Sequence, residues 1–141
     1  MTTDQLLIGF FVSLGLVVVF LVGAIVLAKQ HKIKGHLAGI GAMLVALVAT
    51  LVFAETLGRR YTFDPTSYRV HMPIAFLAAG TLFAPLITGY RHWKGKGSVG
   101  AHKKAFGVWF TLVVLALGTG GWMLSAATRK TSEAETPTQG E

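Results

Sequence analysis

Four long apolar stretches, separated by short polar ones, set the pattern of this chain. Leu6 to Leu27 runs without a charged residue. Further apolar runs extend from about Leu37 to Leu57, Met72 to Tyr90 and Phe106 to Leu124. Each has about the 20 residues that an α-helix needs to cross a hydrocarbon core roughly 30 Å thick. The pattern therefore predicts an all-α, transmembrane four-helix bundle, with a membrane domain over 1–128 and a polar, acidic, disordered tail over 129–141. The first run starts with Asp4, has a long core and is followed by Lys29, Lys32 and Lys34. A cleaved signal peptide has the opposite signature, a basic start and a short core, so this run reads as a retained span.

The connections carry turn chemistry. Asp64-Pro65-Thr66-Ser67 marks a turn in a longer polar loop from Tyr61 to Tyr68. Pro73 suits the first turn of span three, where a missing N–H costs nothing. Pro85 lies inside that span and predicts a kink. Tyr90, His92 and Trp93 form an aromatic cluster of interfacial type, and Trp122 anchors the far end of span four.

Composition agrees with this layout. The chain is 52% hydrophobic and 13% charged, too little polar surface for a soluble domain of 141 residues. Its formal charge of +7 is spread over short loops between apolar runs, which argues for membrane topology and against nucleic acid as a partner. It contains no cysteine, which excludes disulfides and thiolate metal sites. The turns after spans one and three hold eight basic residues and no acid. The opposite side holds the other five basic residues and all six acids. The positive-inside rule then predicts cytoplasmic turns and both termini outside. Spans one–two and three–four also look like two similar hairpins with Lys/His-rich turns.

Four of the five histidines, His31, His36, His92 and His102, fall in those basic turns. Neutral imidazole is the usual axial ligand of b-type haem, and two of them at equal depth make a low-spin electron-transfer centre. Spans two and four run in the same direction. His36 opens one and His102 the other, which predicts His36 and His102 as ligands of a haem iron. Gly35, Gly39 and Gly107 would leave room for the macrocycle. Lys32, Lys34, Arg91, Lys103 and Lys104 would pair with its propionates. Against this stands the plain alternative of polar residues at helix ends. That reading suits His31, in a Lys-rich turn, and His92, in the aromatic belt, although either of these could replace a member of the pair. A non-haem metal such as copper is open, but no short ligand spacing points to one. His71 belongs to the outer side, with Glu55 and Tyr61 as candidate neighbours in a proton- or quinol-handling site, or as a ligand of a second haem or a metal if a partner exists. The alternative for Glu55 is a pair with Arg59 one helical turn on.

The run His71…Tyr90-Arg91…Gly97…His102-Lys-Lys…Trp109…Thr119-Gly120 resembles a family of small four-helix bacterial membrane proteins, the CtaM-like assembly factors of haem–copper cytochrome oxidase. Histidines opening spans two and three in that family match His36 and His71. The layout is also similar to the haem-binding core of membrane cytochromes b. The resemblance covers about His36 to Leu124. Span three, with Gly80 and Pro85, departs from the pattern by being longer. The resemblance implies a multi-pass protein of the bacterial plasma membrane with a role around respiratory electron transport.

Three functions follow as expectations: a haem-carrying cytochrome subunit, a non-catalytic accessory factor for a respiratory oxidase, and a structural membrane subunit. Transport lacks a charged residue near the middle of any span, and hydrolysis lacks a nucleophile–base–acid set.

Overall fold

A computed structural model describes residues 1–130 of the chain. The described residues are helical almost throughout, and the only strands among them are the two-residue stretches Tyr61–Thr62 and Thr128–Arg129. Four helical segments are long and apolar enough to cross a membrane: Thr3–Lys29 (α1), Ile33–Gly58 (α2), Pro65–Trp93 (α3 and α4 together) and Val99–Ser125 (α5). The all-α, membrane-spanning class is therefore as the sequence predicts. The described residues form two compact units, residues 1–62 with Arg129 and Lys130, and residues 63–128.

The first unit is the α1–α2 hairpin. The Thr2 hydroxyl accepts from the Gln5 N–H, and the Gln5 side chain accepts from the Thr2 N–H, which closes a capping box at the start of α1. Its buried positions, Leu6, Ser13, Val17, Leu21 and Ala24, form a stripe three, four or seven residues apart. Met43, Ala46, Thr50 and Leu57 form the matching stripe on α2. The helices come close where Gly39 meets Ala24: a Cβ on Gly39 would stand 3.1 Å from Ala24 Cβ and 3.4 Å from Ala24 Cα. Small residues at such a crossing let dispersion act between backbones, which matters where lipid removes the hydrophobic drive. Deeper in the span the Thr50 hydroxyl lies 3.1 Å from Ser13 Oγ and 2.9 Å from the Ala46 carbonyl, a polar link between the helices. Side chains such as Val45, Ile8 and Val19 stay more than half exposed, as befits a lipid-facing surface.

The turn between α1 and α2 is shorter than the apolar pattern predicts, and α2 starts at Ile33 rather than near Leu37. The reason is a tight helix stop. His31 takes φ 58°, its N–H donates to the Ala28 carbonyl, and the Lys32 N–H donates to the Leu27 carbonyl. This is a Schellman closure with histidine in the left-handed position that glycine ordinarily fills. His31→Gly is therefore expected to stabilise the hairpin by about 1 kcal/mol, the penalty a Cβ carries in this conformation. A lower unfolding midpoint for the variant in mixed detergent–SDS micelles would contradict this account of the turn.

Arg129 and Lys130, the first residues of the expected tail, are tied into this unit. The Arg129 guanidinium donates to the Asp4 carboxylate at 2.7 Å, and the Lys130 N–H donates to the Arg60 carbonyl at 3.0 Å. Asp4, and after it the Tyr61 hydroxyl, hold the Arg129 guanidinium above its ordinary range. The remainder of the expected tail lies outside the described residues. Glu55 pairs with Arg59 at 3.1 Å on an exposed face, the helical-turn pair described above.

In the second unit the third span starts earlier than its hydropathy suggests. The Asp64 carboxylate accepts from the Ser67 N–H at 2.8 Å and Pro65 occupies the first turn, so helix α3 runs from Pro65 to Thr81. Asp64-Pro65-Thr66-Ser67 is thus a helix start, Pro73 is interior rather than first-turn, and His71 lies within the helix. The helix is interrupted at Leu82, between α3 and α4 (Phe83–Trp93), three residues before Pro85. Leu82 keeps helical dihedrals, φ −54° and ψ −34°, so the break is the hydrogen bond that Pro85 cannot donate to Thr81. A second Schellman closure ends α4, with Gly95 at φ 69° and the Lys96 N–H on the Arg91 carbonyl. Ser98 caps α5, its Oγ accepting from the Ala101 N–H at 3.1 Å. His102 therefore sits in the first turn of α5.

Candidate functional site

The five histidines fall into two groups. His36, His71 and His102 are half-buried in helix contacts, whereas His31 and His92 are exposed in turns. His92 Nδ1 lies 3.1 Å from the Gly97 carbonyl, which makes it a brace across the α4–α5 turn.

Each half-buried ring turns Nδ1 toward the helix packed against its own. His36 Nδ1 is 2.9 Å from the Ala24 carbonyl on α1. His102 Nδ1 is 3.1 Å from the Pro85 carbonyl and 3.4 Å from Thr88 Oγ1, both on α4. A carbonyl only accepts, so in both rings Nδ1 carries the proton. His71 Nδ1 is 3.1 Å from Thr119 Oγ1 on α5. The Thr119 hydroxyl donates to the Leu115 carbonyl at 2.8 Å, so its oxygen is left to accept from His71 Nδ1. In a neutral imidazole the lone pair then resides on Nε2, the nitrogen a metal centre takes.

The predicted site residues are thus placed as follows. His36 and His102, expected to share a macrocycle, lie in different units, each in the first turn of its own helix. Lys32 is the residue before α2, and Lys34 is exposed in its first turn. Arg91, Lys103 and Lys104 are exposed at the α4–α5 turn. Among the described residues no three His, Asp or Glu side chains gather as a metal-binding group.

Sequence reasoning missed Thr88 and Gly89 and the partners that Thr119 and Gly120 have in the fold. A Cβ on Gly89 would stand 3.0 Å from His102 Cε1, and a Cβ on Gly120 would stand 3.1 Å from His71 Cε1. Each ring rests on a glycine of the facing helix. The available signal was a spacing: in both spans Thr-Gly starts seventeen residues after the histidine.

Comparison with protein-family models, curated proteins and solved structures finds no match for this chain.

Proposed function

We propose that this protein is an integral component of bacterial respiratory electron transport that holds b-type haem through imidazoles at the ends of spans two and four, with those ends on the cytoplasmic side of the plasma membrane. The observation that carries the proposal is the 2.9 Å link from His36 Nδ1 to the Ala24 carbonyl. It fixes the tautomer that leaves Nε2 basic and orients the ring from the rigid crossing of two helices, which is how metal-bound histidines are commonly held. His102 has the same tautomer through Pro85. Lys32 and Lys34, in the turn and first helical turn beside His36, offer cations to haem propionates. Haem so bound would accept and release single electrons; the chain's contribution is to orient imidazole and neutralise the acid groups.

A second reading is an accessory or assembly factor for a haem–copper oxidase, of the CtaM-like type. It is supported by His71 and His102, whose rings brace helix contacts and have work to do without iron.

The test is a visible spectrum of the detergent-purified full chain titrated with haemin. Saturable uptake, with a Soret band and sharp visible bands on reduction, is expected, and unchanged in His92→Ala. Protein that stays colourless in excess haemin but co-purifies with oxidase subunits would replace the first reading by the second.

A further inference from the structure

The second unit holds its two histidines in seats of one design. His71 is followed seventeen residues on by Thr88-Gly89, and His102 seventeen residues on by Thr119-Gly120, the copies being 31 residues apart. The antiparallel packing of α3 and α4 on α5 exchanges the partners. The His102 ring lies on Thr88-Gly89, and the His71 ring lies on Thr119-Gly120. The details repeat. The Thr88 hydroxyl donates to the carbonyl four residues back, Ala84, at 2.7 Å; the Thr119 hydroxyl donates to Leu115 at 2.8 Å. For His102 the carbonyl three residues back, Pro85, is a further acceptor for Nδ1 at 3.1 Å. A Cβ on either glycine would meet the ring edge at 3.0 or 3.1 Å, closer than ordinary van der Waals contact.

We infer that Thr88-Gly89 and Thr119-Gly120 are positioning elements for two equivalent imidazoles, one at each end of this hairpin. The threonine hydroxyl accepts from Nδ1 in both seats, and the Pro85 carbonyl is a second acceptor for His102. The glycine sets the ring plane. Nε2 is the basic nitrogen in both, so His71 is a ligand position of the same rank as His102 for a metal centre that takes neutral imidazole. The metal in this statement rests on the haem reading above, whereas the seats do not.

The experiment separates the two. Full chain labelled with 15N-histidine is first observed by ring-nitrogen NMR in detergent without haem. Both His71 and His102 are expected as the Nδ1–H tautomer, the minor form of free histidine. Thr88→Val should shift the ring nitrogens of His102 alone and Thr119→Val those of His71 alone, with Thr→Ser restoring each. The Nε2–H form in the parent protein, or indifference of both rings to the valines, would overturn the seats whatever the spectrum with haem. On addition of haemin each valine variant should lose on the order of 10-fold in affinity, recovered by serine. Correct tautomers in a chain that takes up no haem would leave the seats standing and remove only the haem reading.

Discussion

Gly39→Leu is expected to lower the stability of the first hairpin by about 3 kcal/mol, the upper part of the range for overpacking a close contact. A side chain starting at Gly39 would meet Ala24 Cβ at 3.1 Å and, behind it, Ala24 Cα at 3.4 Å and N at 3.5 Å. The last two are backbone atoms of a helix and the Cβ is fixed to them, so none can rotate aside and α1 as a whole must withdraw. Gly9 is the instructive contrast. A Cβ there would meet the tip of the Phe53 ring at 2.6 Å, but that ring can turn. Gly23 supplies the control, since a Cβ there meets nothing within 4 Å and Gly23→Leu should be near neutral. Unfolding by SDS in mixed micelles, followed by helical circular dichroism, reads the difference. An unchanged midpoint for Gly39→Leu would mean the helices do not cross at Ala24. The same variant reaches the candidate site, because the carbonyl that accepts from His36 belongs to Ala24.

His36→Asn and His36→Ala are expected to abolish tight haem uptake alike, by 100-fold or more on the order set by loss of metal-site partners, while differing in their effect on the fold. Asparagine places an amide N–H near the position of imidazole Nδ1 and can keep the link to the Ala24 carbonyl, but has no counterpart of Nε2. Alanine loses both. The structural cost of alanine should be small, about 0.6 kcal/mol, as for other hydrogen bonds between membrane helices, because Ala24 lies inside α1 and its carbonyl keeps its helical partner. Wild-type haem affinity in His36→Asn would remove His36 as a ligand. An asparagine variant that loses both haem and stability would instead assign His36 to packing alone. These results, read with His31→Gly and the seat variants, divide the five histidines by role.

The layout of spans was legible because transfer from water to lipid is nearly additive along the chain. Leu6 to Leu27 announces a helix whatever lies beside it. Helix starts were harder to read. Asp64 and Pro65 form an ordinary cap signal, yet they precede six residues, Thr66 to His71, whose polarity hides the helix. The turn at His31 was shortened by a left-handed residue that carries no glycine to mark it. Glu55 and Arg59 could be paired from the sequence because the partners lie one helical turn apart.

The sequence by itself determined that this is an all-α chain with four helices able to cross a bilayer, no cysteine chemistry, and four of its five histidines gathered at the turns between spans. The tertiary structure alone decided which histidines are seated and which nitrogen of each carries the proton. Hydropathy is a property of consecutive residues, summed locally. A tautomer depends on which oxygen of a neighbouring helix lies about 3 Å away, and for His71 that oxygen belongs to a residue 48 positions along the chain.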